Sequence, residues 1–331
     1  MGQLIKLQDY ISRYEQDIYR YPTQYVRLKK QQWSKLHQAF QAGALHEMFH
    51  ADKEEESWIE EKPTLLDKLK NAVRRTEKKQ EPERVGKQDL KVKANSEEEM
   101  LFSMIIVPET EEALKMAFLD QLFHFQMKWA TTTIRERSLV DRSYYRNEKM
   151  KLLLQRLPDT NLILFEPVLR INKAPILLDT IILTPTVAWC VSFLDELDLS
   201  VYEGNNDKFW LRRHHESKEQ RVLNPLISLQ RSEKIISKLF SSYQVELPIK
   251  KAIISRNSFI EYSSGMSNLF ILDKKGFAGW FDMMRKSNSP LKRQQLKGAE
   301  VLLNYSQTTS MMRMEWSDYD EDARKADHAE S

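Results

Sequence analysis

An aspartate interrupts an apolar run at residues 176–183, ILLDTIIL. Taking a carboxylate out of water costs on the order of several kcal/mol unless it is paired, hydrogen-bonded or bound to a metal. Asp179 therefore needs a partner. A second acid, Glu148, falls on a predicted helix ahead of the first apolar strand. A helix glutamate and a strand aspartate can converge at one end of a small mixed sheet. Together they suit Mg²⁺, a hard cation that prefers oxygen ligands. Such an ion polarises phosphate and lowers the pKa of an attacking water.

Other residues offer weaker chemistry. HEMFH, residues 46–50, matches the H-E-x-x-H zinc pattern, with His46 and His50 one turn apart and Glu47 between them. No third ligand follows at the H-x-x-G-x-x-H spacing and the motif abuts a charged stretch, so it reads as a solvated helix end. LRRHHESK, residues 211–218, sets Arg212, Arg213, His214 and His215 at a basic tip after a strand. That tip is either a solvated hairpin end or a phosphate-contacting patch. Arg285, Lys286, Lys292 and Arg293, with Lys297 beyond them, make the cleanest basic stripe, and Trp280 lies just before it. The chain has eight glycines, mostly isolated, so it contains neither G-x-x-x-x-G-K-S/T nor G-x-G-x-x-G phosphate loops.

These residues need elements to hold them. Residues 1–50 have aromatic and apolar positions at roughly helical spacing, among them five tyrosines between Tyr10 and Tyr25. They suggest a helical N-terminal region that packs on the rest or docks a protein partner. Residues 51–99 are dense in both charge signs and poor in aromatics, as in a flexible linker. A globular body follows at 100–275. It opens with a long helix from Pro108 to about Arg137 and a second over 142–157. Apolar runs NLILFEPVL, PILLDTIIL and TVAWCVSFL come next, then KFWLRRH as a fourth strand. Asn224-Pro225 starts another helix, and IKKAIISRN returns as a strand. Residues 276–331 are expected to hold one or two helices and a disordered tail. The order is helix, three or four strands, helix, strand, which is an α/β class.

Composition narrows the setting. The chain has 331 residues with a net charge of +3, too small to imply nucleic acid unless local clusters supply the attraction. The single cysteine, Cys190, excludes an intrachain disulfide framework and fits a reducing compartment. No hydrophobic leader is visible, and Asp179 and Pro185 break the one run long enough to suggest a membrane span. A cytoplasmic protein with no membrane partner is expected.

Residues 145–256 resemble the nuclease-related domain, NERD, a branch of the PD-(D/E)xK nuclease superfamily. The matching stretches are NEKMKLLLQRLPDTNLIL, ILLDTIIL, TVAWCVSFL, Trp210 and NPLISLQRSEKIISKLF. The N-terminal QLIKLQDYISRYEQDIYRYPTQYVRLKKQQW is similar to the leader of NERD-containing proteins of Bacillus-type bacteria. The resemblance implies a restriction-endonuclease-like αβββαβ core with flanking helical segments, and Mg²⁺ on Glu148 and Asp179. It also implies a glutamate and a lysine on the strand after the aspartate. Those positions fall at Ser192 and Leu194, which supply neither an oxyanion ligand nor a water-polarising cation. The family's helix glutamine falls near Ser228, with Gln230 two residues on. Glu148, Asp179 and Gln230 then read as the remnant of a catalytic site. The expected function is a catalytically degenerate nuclease-related protein that binds nucleic acid or a protein partner. Arg212, Arg213, Arg285, Lys286, Lys292 and Arg293 are the candidate phosphate contacts. The alternatives are an active Mg²⁺-dependent nuclease helped by Gln230 or Lys234, and a helical scaffold. Asp179 is either a relic satisfied by its neighbours or still helps hold an ion.

Overall fold

The computed structural model describes residues 1–45, 108–194, 199–214, 217–262, 268–287 and 289–313. The HEMFH motif, the charged stretch 51–99 and the C-terminal tail beyond residue 313 lie outside them. The described elements make a mixed α/β protein. Two compact units divide the chain: residues 1–26 with 122–331, and residues 27–121.

The first unit is built on a six-stranded sheet in the order β1 (Gln3–Leu7), β3 (Leu162–Phe165), β6 (Thr180–Leu183), β7 (Ala188–Phe193), β11 (Ile249–Ile254), β13 (Leu269–Leu272). The β3–β6 and β6–β7 pairs are antiparallel, whereas β1–β3, β7–β11 and β11–β13 are parallel. A short antiparallel pair, β2 (Glu136–Arg137) with β14 (Met311–Met312), stands apart from it. The described helices are α1 (Tyr21–Gln41), α2 (Glu111–Trp129), α3 (Glu148–Arg156), α4 (Pro225–Ser242), α5 (Phe277–Lys286) and α6 (Arg293–Asn304). On one face of the sheet, Trp189 and Val191 of β7 and Ala252 and Ile254 of β11 join a core with Met150, Leu153 and Leu154 of α3 and Trp280, Phe281 and Met284 of α5. Strand side chains alternate between faces. Cys190 and Ser192 of β7 and Lys251 and Ile253 of β11 therefore point the other way, onto the face that α4 covers.

The start of the chain corrects the helical reading. Residues 3–7, QLIKL, form a strand buried along its whole length and paired with β3. The helical spacing belongs to the tyrosines beyond this strand: Tyr14, Tyr21 and Tyr25 pack edge-on against Trp129 of α2. Gly2 leaves little room for a side chain here. A Cβ on it would stand 2.8 Å from the Ile163 side chain and 3.1 Å from the Leu153 carbonyl.

A second sheet, in the order β10, β9, β8, β12, is made of Ser217–Leu223, Phe209–His214, Val201–Glu203 and Phe259–Glu261. Its Trp210 is fully buried, donates to the Asn205 carbonyl at 2.9 Å and stacks on Tyr262. In the second unit, Trp33 of α1 lies against Phe118 of α2, with ring centroids 5.1 Å apart.

Candidate functional site

The run ILLDTIIL is two strands, not one. β5 (Ala174–Leu177) pairs with β4 (Val168–Ile171) in a separate hairpin, and β6 begins at Thr180. Asp179 sits in the break between them, half-buried on the wall of a cleft of about 270 Å³. Lys149, Glu166, Ser192, Phe193, Ser228 and Arg231 also line this cleft.

The partner of Asp179 is helix α4. Ser228 Oγ donates to Oδ1 at 2.9 Å and Ser232 Oγ to Oδ2 at 2.8 Å. The Asp179 amide returns a hydrogen bond to Ser232 Oγ at 3.2 Å. Local chemistry fixes the phase of α4. Asn224 caps its first turn by accepting from the Leu226 amide at 2.9 Å, and Pro225 occupies the first helical position. Leu226, Leu229, Ile236 and Phe240 form its buried stripe, and Ser232 stands in that stripe fully buried. Burial pushes the Asp179 carboxyl above the ordinary carboxylate range, and the two serine hydroxyls and Arg231 pull it back only in part.

Glu166 is the cleft's second acid. It occupies the tight turn between β3 and β4 with φ +48°, a left-handed conformation uncommon for residues other than glycine, Asn and Asp. Burial and the nearby Asp179 raise its carboxyl, against the opposing effects of Lys149 and a Gln8 hydrogen bond. The cations come from α3 and α4. Lys149 Nζ stands 5.7 Å from the Phe193 ring centroid, and Arg231 donates to the Leu177 carbonyl at 3.0 Å.

The residues expected from sequence separate in space. Asp179, Ser192 and Ser228 meet in the cleft. Glu148 does not line it; its side chain is 81% exposed and lies 4.0 Å from Arg256. Gln230 and Lys234 are on α4 and Leu194 is half-buried just beyond β7; none of the three lines the cleft. Arg212 and Arg213 are inside β9, not on a loop. Arg212 donates to Ser200 at 3.0 Å and to Gln220 at 3.1 Å, and Arg213 is paired with both Glu203 and Glu219. Arg285 and Lys286 end α5, and Lys292 and Arg293 begin α6. His214 closes β9, while His215 lies outside the described residues.

This donor set does not fit Mg²⁺. Each Asp179 oxygen already accepts a hydroxyl, Ser192 is neutral, and two cations, Lys149 and Arg231, share the cleft with its two acids. Among the described residues, no three His, Cys, Asp or Glu side chains gather as a metal-ligand group. The arrangement is instead suited to a ligand that offers negative charge and hydrogen-bond donors together.

Over 133 residues, 38% of its length, the chain is 35% identical to an RNA 2′,3′-cyclic phosphodiesterase of Geobacillus stearothermophilus. That stretch covers 36% of the relative, so the chain spans about a third of the length of the curated protein it matches. No protein-family model matches the chain, and no solved structure matches it significantly. Among the described residues, no helix is long and apolar enough to cross a membrane.

Proposed function

We propose that the chain is a nuclease-related protein of the NERD type whose metal site is degenerate, and that it binds nucleic acid without cutting it. The observation that carries this reading is the engagement of Asp179. Both of its oxygens accept serine hydroxyls from α4, and Ser192 stands in the cleft at the position the resemblance reserves for an acid. Support for an αβββαβ core comes from the elements on and beside the main sheet, which follow as α3, β3, β6, β7, α4 and β11, with the β4–β5 hairpin and strands β8–β10 inserted between them. The name of the Geobacillus stearothermophilus relative adds RNA phosphodiesters to the ligands worth testing.

That same name raises a second reading, an active phosphodiesterase. One experiment separates the two. Single-stranded and duplex DNA, RNA, and RNA ending in a 2′,3′-cyclic phosphate are incubated with the protein and Mg²⁺ or Mn²⁺, while binding is followed in parallel. Losing a water-activating group typically lowers a rate by about 10²-fold or more. The expected outcome is binding without turnover. Metal-dependent cleavage that disappears in Asp179→Asn would overturn the proposal in favour of the second reading.

A further inference from the structure

We infer that the Asp179 cleft receives one ribonucleotide, its phosphate between Lys149 and Arg231, a ring face on Phe193 and its ribose 2′-hydroxyl on Glu166, so that the protein prefers RNA to DNA. The inference rests on the nucleic-acid-binding reading above and names the ligand of that same site.

The cleft is close to the small end of ligand pockets, about 300–1,000 Å³, so it suits one residue of a polymer rather than a helix. Its charges set the chemistry. A bare anion would meet Lys149 and Arg231 but also Glu166 and Asp179. A bare cation would meet the reverse. A nucleotide carries a phosphate for the cations and sugar hydroxyls for the carboxylates. An ionised carboxylate is an acceptor only, so it recognises donors, and the ribose 2′-hydroxyl is the donor that DNA lacks. Acidic side chains hold ribose hydroxyls in dinucleotide sites for the same reason. Asp179 already commits one lone pair of each oxygen to Ser228 and Ser232, whereas the side-chain hydrogen bond on Glu166 comes from Gln8 and leaves its remaining lone pairs to take a new donor. Phe193 is half-buried and lines the cleft, an apolar ring of the kind on which unpaired bases stack.

The test is fluorescence anisotropy on the full chain with a short labelled single strand, made as RNA, as DNA and as 2′-O-methyl RNA of one sequence, with EDTA present. A hydrogen bond to a charged group discriminates by about tenfold or more. RNA is expected to bind about tenfold tighter than DNA, and the 2′-O-methyl strand, which keeps the oxygen but loses the donor, is expected to bind like DNA. Glu166→Asn, a residue that tolerates the left-handed backbone, should bring the RNA/DNA ratio toward one with DNA affinity little changed. Lys149→Gln should weaken both strands alike. Equal RNA and DNA affinities, or 2′-O-methyl RNA binding as tightly as RNA, would overturn the ribose assignment while leaving nucleic-acid binding standing. If no strand binds, both fall. Because the 2′-O-methyl comparison uses the unaltered protein, it decides even if the Glu166 variant does not fold.

Discussion

At Asp179 the balance of forces has a readable pH signature. Burial outweighs its two serine donors and Arg231, so the native carboxyl holds its proton to higher pH than the unfolded one. In the window from the ordinary carboxylate value, about 4, up to the raised native value, the native state binds more protons. Stability from this residue is therefore present below the window and lost as pH rises through it. Asparagine has no such cost, and its amide can accept from one serine and donate to the other. The melting temperature of Asp179→Asn relative to the unaltered protein should climb as pH rises from about 4 and then level off. Melts across that range that differ by a constant amount would show that burial of the charge is not what Asp179 costs. The need for a partner was legible in ILLDTIIL, but not the partner's identity. The exposure of Glu148 was legible too. Met150, Leu153 and Leu154 set the inward side of α3, and four residues before Leu153 stands Lys149. Helix phase alone thus puts Lys149 toward the cleft and Glu148 toward solvent. Glu166 had no such signal, because a turn's backbone conformation, not a periodicity, aims its side chain.

At the scale of elements, α4 ties the site to the sheet twice. Its Ser228 and Ser232 hold Asp179, and its Glu233 pairs with Lys251 of β11, whose side chain is only 4% exposed. Asn268 also donates to Glu233, just before β13. Removing one member of a buried pair strands the other, at a cost of about 3–5 kcal/mol, whereas replacing both with apolar residues of similar size is often neutral. Glu233→Ala should therefore lose about 3 kcal/mol in urea unfolding, and Glu233→Leu with Lys251→Met should fall within about 1 kcal/mol of the unaltered chain. Equal losses in the two variants would show that the pair is not what holds α4 to β11. The start of α4 was legible because Asn224-Pro225 is a local cap signal. Ser232 carries a clue of the same kind: a serine in an apolar helical stripe needs a polar partner, and Asp179 was the acid in want of one. β1 was opaque. Five residues, QLIKL, carry too little periodicity to compete with the helical spacing after them, and their strand exists only because β3 supplies an edge from a distant part of the chain.

At the scale of the whole molecule, the proposed nucleic-acid binding rests on charge. Lys and Arg number 51 against 48 Asp and Glu, so no long-range field of one sign draws a polyanion to the chain and local groups must do so. The fold engages part of the basic sequence internally. Arg213 is tied to Glu203 and Glu219, and Arg212 to Ser200 and Gln220. Arg285 and Lys286 close α5, with Arg285 3.8 Å from Asp282, and Lys292 and Arg293 open α6. Sequence could count these charges but not pair them, since the glutamates that engage Arg213 lie on flanking strands. Each phosphate neutralised on a single strand contributes about −0.7 to the slope of log K against log salt, and about −0.9 on duplex. Reversing all four of Arg285, Lys286, Lys292 and Arg293 to glutamate should weaken binding across sequences and flatten that slope by about one unit or more. Arg213→Glu should leave affinity at fixed salt within about twofold and instead lower the melting temperature, because it puts a third acid beside Glu203 and Glu219. Salt titrations of these variants separate the two roles. If Arg213→Glu flattens the slope while the four-fold reversal does not, the phosphate path runs over the second sheet and the helix-end charges are bystanders.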